Sequence, residues 1–151
     1  MGTHNIILIN VRNEFVPRES PLAAGAEITP GMWIELSSGS VQPHSSASAV
    51  PSPLCIAVEM PFRPKSAGSN LGSGINDPYD QEGENVPYHY ALAGDVLNCL
   101  LAAGEDITEG TLLESDGAGG VQAGASTFLR ALEDVDNSAS YEYARIKVEV
   151  L

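Results

Sequence analysis

Three histidines, two cysteines and a run of acids are the side chains here with the chemistry to hold an ion or attack a substrate. Their spacing speaks against each use. His4, His44 and His89 stand far apart, and none has a second histidine or an acid at ligand spacing. Each therefore reads as a surface or packing histidine. Cys55 and Cys99 form no C-x-x-C pair, so a zinc site from cysteine is unsupported. They read as two buried free thiols, although pairing stays open to them if the fold brings them together. Asp77, Asp80, Glu82 and Glu84 could offer oxygen ligands to Ca²⁺, but not at EF-hand spacing. A solvated acidic loop is the simpler expectation. There is no G-x-S-x-G elbow and no phosphate loop. The glycine-rich run from Gly68 to Gly74 lacks the lysine and the following helix, so it reads as a loop tip. The expectation is a protein that is not an enzyme and takes no cofactor.

The elements that would position such groups are short. With 151 residues, 43% hydrophobic and 18% charged, the chain suits one domain or two small subdomains sharing a core. Glycine and proline punctuate it throughout, and no stretch carries a helical apolar period over several turns. Strands are expected at 5–11, 32–36, 40–44, 54–60, 88–92, 96–102, 111–115, 120–123, 128–133 and 143–151. In the last, Ala144, Ile146, Val148 and Val150 alternate with Tyr143, Arg145, Lys147 and Glu149, as in a strand with one buried face. Residues 12–22, with Pro17 and Pro21, read as an extended linker, and 61–87 as a long surface excursion.

Twenty acidic against seven basic residues give a net charge of -13. Such a surface repels phosphate, so neither nucleic acid nor an anionic membrane is expected as partner. No apolar run reaches transmembrane length, and the start lacks the basic residues of a signal peptide. Synthesis and retention inside a cell, until something releases the protein, is the expectation.

The most informative feature is a repeat. Leu22-Ala-Ala-Gly-Ala-Glu-Ile-Thr-Pro-Gly31 recurs as Leu101-Ala-Ala-Gly-Glu-Asp-Ile-Thr-Glu-Gly110, with seven of ten positions identical. Downstream, Trp33-Ile34-Glu35 faces Leu112-Leu113-Glu114. Gly39-Ser40-Val41-Gln42 faces Gly119-Gly120-Val121-Gln122, and Ala57-Val58-Glu59 faces Ala131-Leu132-Glu133. The glycines suit tight turns leading into a hairpin, and the apolar steps point inward. A unit this small cannot bury its own face, so two copies building one core are expected.

Several of these runs resemble the capsid decoration (cement) proteins of tailed bacteriophages. They are Tyr90 to Val96, Leu101 to Leu113, Ser115 to Val121, and Ala131 to Asp134 followed by Ala144 to Val148. The resemblance covers about 24–151, with 61–87 as an insertion. It implies a small β-barrel, β-tulip-like or sandwich domain (22–151) with a duplicated hairpin and an extended N-terminal arm (1–21). It further implies a virion protein on the outer capsid surface at capsomer junctions, made in the host cytoplasm. Its partners would be the major capsid protein and itself, as a homotrimer or dimer. Ile6, Ile7, Leu8, Ile9, Val11 and Phe15 would form the capsid-binding arm, adding a strand to an exposed edge.

The rival class is a free-standing adhesion or carbohydrate-binding module, for which Tyr79, Tyr88 and Tyr90 are the available aromatic platform. Gly74 to Glu84 also resembles the third motif of trimeric dUTP pyrophosphatases, which would make Asp77 the activator of water and Tyr79 the stacking ring. The glycine-rich, arginine-bearing phosphate arm of that family has no match at the end of this chain.

Overall fold

The structure is a computed structural model. It describes residues 6–11, 18–59, 75–79 and 84–151, and of 18–23 the backbone only. Every regular element among the described residues is a strand, as the sequence leads one to expect. In chain order they are β1 (Leu8–Asn10), β2 (Arg18–Ala23), β3 (Trp33–Ser37), β4 (Ser40–Pro43), β5 (Cys55–Ala57), β6 (Asn85–Tyr90) and β7 (Val96–Leu101). They continue as β8 (Asp106–Ile107), β9 (Leu112–Ser115), β10 (Val121–Ala123), β11 (Leu129–Ala131), β12 (Val135–Asp136) and β13 (Ala144–Val150).

Five strands close a barrel in the order β7-β10-β9-β11-β13, with β13 returning to β7 from Ala144↔Leu101 to Glu149↔Val96. β1 adds to the remaining edge of β7. A second sheet runs β2-β6-β5-β3-β4 and curls until Ala24, just past β2, bridges Val41 of β4 in parallel. That bridge is the counterpart of the parallel contact Val121↔Leu101, so the two sheets have the same topology.

The duplication extends to single hydrogen bonds. Gly31 N–H donates to Ala57 C=O at 2.8 Å, and Gly110 N–H to Ala131 C=O at 2.9 Å. Val58 N–H donates to Pro87 C=O and Leu132 N–H to Lys147 C=O, both at 2.9 Å. Gln42 Nε2 donates to Glu35 Oε1 at 2.8 Å, and Gln122 Nε2 to Glu114 Oε1 at 3.4 Å. Gly31 and Gly110 sit at φ +92° and +90°, a left-handed backbone that any Cβ strains, which is why the repeat ends on glycine both times.

The interiors are not one core but a smaller and a larger cluster. Ile28, Ile34, Val41, Cys55, Tyr79 and Val86 fill the N-terminal unit. The C-terminal barrel packs Leu97, Leu113, Leu129, Ile146, Val148 and their neighbours, and this cluster also takes in Trp33 and Ile56 from the first unit. Strand alternation explains the split. Ile34 faces its own sheet's interior, while Trp33, one residue before it, turns to the other barrel. There its ring meets Phe128 edge-on at 4.9 Å.

Two expectations change. The arm expected over 1–21 is, where described, built into the fold: β1 belongs to the large sheet and β2 pairs with β6. Pro21 had argued for a linker, but it falls where the β2 register shifts between Glu19 and Ala23, so no regular ladder bond is lost there. The end of the 61–87 excursion is also core. Tyr79 is 0% exposed and exchanges backbone hydrogen bonds with Ile28, as Val135 pairs Ile107 in the other unit. Residues 60–74 and 80–83 lie outside the described residues.

Leu113, fully buried, and Leu36, largely exposed, should therefore respond unequally to truncation. Leu113→Ala is expected to cost about 2–5 kcal/mol in urea unfolding. Leu36→Ala should stay within about 0.5 kcal/mol.

Candidate functional site

β1 is the element that the expected arm residues form. Ile7 is 0% exposed; its C=O accepts from Asn98 N–H at 2.8 Å and its N–H donates to Glu59 Oε2 at 3.1 Å. Leu8 pairs with Leu97 and packs, with Val11, against the large cluster. Ile6 is 49% exposed. β1 has β7 on one side and, among the described residues, no strand on the other. The structure thus brings Ile6 to Val11 together as an anchored edge strand rather than a free arm. The anchor follows from apolar β-branched residues that find a core to fill. Phe15 lies outside the described residues. Strand addition at β1 would use a row of outward backbone groups held in place beforehand.

The histidines are buried and partnered, apart from His4, which lies outside the described residues. His44 Nδ1 and Ser115 Oγ share a hydrogen bond of 2.9 Å between the two units. His89 Nε2 lies 3.1 Å from Asp95 Oδ2, which also accepts Leu92 N–H at 2.9 Å. This second pair closes the Tyr90–Asp95 link from one barrel to the next. Spacing alone missed it, because the five residues between the partners fold back through a turn. A histidine oriented by an aspartate supplies two members of a nucleophilic triad, but Ser115 is bonded to the other histidine and both pairs are sealed from solvent. Their chemistry is that of satisfied buried polar groups.

Arg145 serves the joint as well. Nη1 donates to Pro30 C=O at 2.6 Å, and Nη2 donates to Ile75 C=O and to Asn76 Oδ1. Burial lowers its pKa to about 10, which leaves it cationic at neutral pH. The thiols move the other way. Burial pushes Cys55 up to about 11 and Cys99 up to about 12, and both are free.

The remaining sequence candidates separate. Tyr79 donates its hydroxyl to Val58 C=O at 2.7 Å inside the core, so it offers no stacking face. Tyr88 and Tyr90 meet edge-on at 5.4 Å, not as a flat platform. Beside them, at the mouth of the N-terminal sheet, Ile34, Leu36, Val41 and Cys55 line a pit of about 30 Å³. That volume holds roughly one water, not a sugar ring. Among the described residues no group of three His, Cys, Asp or Glu side chains could hold a metal ion. No protein-family model matches the chain, and no curated protein matches it.

Two measurements probe this site. Asp95→Ala should lower unfolding stability by about 3 kcal/mol, because it strands both Leu92 N–H and the buried His89. Asp95→Asn, which keeps an acceptor, should cost less than half of that. For the thiols, a raised pKa means the reactive thiolate is scarce below it. At pH 8 roughly one Cys55 in a thousand is ionised, so a thiol reagent should label neither cysteine quickly until denaturant exposes both.

Proposed function

We propose that this chain is a capsid decoration protein of a tailed bacteriophage. It would bind the outer face of the head at capsomer junctions and act by burying surface rather than by catalysis. The observation that carries the reading is β1, an edge strand anchored through Ile7, with Ile6 exposed beside a backbone edge that no strand of the described residues pairs. The anchoring favours this use, because a strand already held in place has little conformational entropy left to lose on docking. The runs that carry the family resemblance, from Leu101 to Leu113 and from Ser115 to Val121, cover β8, most of β9, the turns around them and the first residue of β10. The net charge of -13 requires a neutral or basic patch on the major capsid protein. Many symmetric copies let each contact be weak. The pit beside Tyr88 and Tyr90 gives the carbohydrate-module reading no comparable support.

Co-sedimentation with expanded, undecorated heads tests this. Saturable binding and a raised rupture temperature of the shells are expected. Ile6→Lys should weaken binding about tenfold or more, which corresponds to one exposed apolar anchor lost, while its thermal unfolding stays as in the parent. A folded protein that does not sediment with the shells refutes the reading. Equal binding by Ile6→Lys refutes the role of β1.

A further inference from the structure

The two units are joined through one residue. Gly119, in the β9–β10 turn, lies between Trp33 and His44: Trp33 N–H donates to Gly119 C=O at 2.8 Å, and Gly119 N–H donates to His44 C=O at 3.1 Å. His44 N–H still donates to Trp33 C=O at 2.8 Å, so β3 and β4 are splayed at their base to admit it. Ser115 is buried beneath this joint.

Each of these positions has a counterpart in the other unit. The pairings Ile34↔Pro43 and Leu113↔Ala123 make Leu112 the counterpart of Trp33 and Gly124 that of His44. Gly124 N–H donates to Leu112 C=O at 3.1 Å, as His44 does to Trp33. The return bond is absent there too, and among the described residues no backbone group bridges the two, although the Glu114 side chain lies against Gly124. Leu112 N–H and Gly124 C=O have no partner among the described residues. The counterpart of Gly119 is Gly39, at the tip of the β3–β4 hairpin, with no atom of the described residues within 4 Å of where its Cβ would lie. Leu36, the counterpart of buried Ser115, is 67% exposed.

A two-fold relation between the units would have put Gly39 into the Leu112–Gly124 slot of its own chain. It does not, so the joint is heterologous, and among the described residues one hairpin tip and one pair of strand-end backbone groups stay unused. We propose that copies of this chain associate head to tail, with the Gly39 hairpin of one entering the Leu112–Gly124 slot of the next. Two main-chain hydrogen bonds and the covering of Leu36 hold the contact. The loop beyond the slot, 124–128, is shorter than its counterpart 44–54, so the clasp of Ser48 N–H on Ser115 C=O is not repeated. Leu36 supplies apolar contact in its stead. A heterologous contact closes into a ring or continues as a filament.

The inference specifies the self-contact that the capsid reading calls for, yet it rests on the chain's own geometry. Its test uses no shells, so either idea can fail alone. Ser38→Cys and Ala125→Cys flank hairpin and slot on exposed residues, and the native thiols are buried. With a short bis-maleimide, an equal mixture of the two single variants should give a mixed dimer. The double variant should give higher species, and Ser38→Cys alone none. Adding Leu36→Glu should cut the cross-linked yield about tenfold or more with unfolding unchanged. Efficient cross-linking of Ser38→Cys to itself would mean a two-fold contact and overturn the proposal. So would a mixture that does not cross-link while the parent sediments as a monomer, or a yield indifferent to Leu36→Glu.

Discussion

The backbone of Gly119 occupies a gap that β3 and β4 leave at their base, and the arrangement of the molecule depends on that insertion. The position tolerates little else. Gly119 has φ +88°, and a Cβ there would lie 3.0 Å from Pro43 Cβ and 3.2 Å from Met32. By bridging Trp33 and His44 it sets one barrel against the other, so that the side chains of Trp33 and Ile56, which stay paired in their own sheet, pack in the larger cluster. Neither unit has enough interior to stand well alone. The smaller cluster in particular relies on the larger one to cover its outward face. Arg145 completes the joint from the other side, reaching from β13 to the carbonyls of Pro30 and Ile75. A guanidinium that pairs with carbonyls rather than a carboxylate keeps its charge while satisfying groups that turns leave orphaned.

What the sequence conveyed best was local. Period-two alternation placed β13 within a residue or two, and glycine-bounded apolar runs placed β3, β4, β7, β9 and β10. The repeat was legible because turns need particular residues, and Gly31 and Gly110 cannot vary without strain. What stayed hidden was long-range. β2 contains Pro21 and two charged residues and resembles a linker; only its neighbours β6 and Val41 make it a strand. Two-residue strands such as β8 and β12 carry no periodicity at all. Apolar residues at Ile6 to Ile9 spoke for burial or docking equally well, and the sequence has no means of saying that a cavity beside Leu97 awaits Ile7. Tyr79, in a proline- and glycine-rich stretch, became core for the same reason.

The two copies of the unit have diverged in a consistent direction. Where the C-terminal barrel places Leu129, Val148 and Val150, the N-terminal one has Cys55, Tyr88 and Tyr90. Leucine and valine fill a closed interior, and those three are fully buried. Cysteine is smaller and the tyrosines need water or a partner for their hydroxyls, which leaves a pit at the barrel mouth and Tyr90 partly in solvent. Ser115 and Leu36 differ in the same way with opposite polarity. The serine is buried and bonded to His44, while the leucine is exposed. The N-terminal copy thus keeps apolar surface at Leu36 and Tyr90 where the C-terminal copy buries the counterparts Ser115 and Val150. Ser115 has its neighbour, His44, within the chain. Leu36 and Tyr90 instead face solvent, on strands that the core already holds in place.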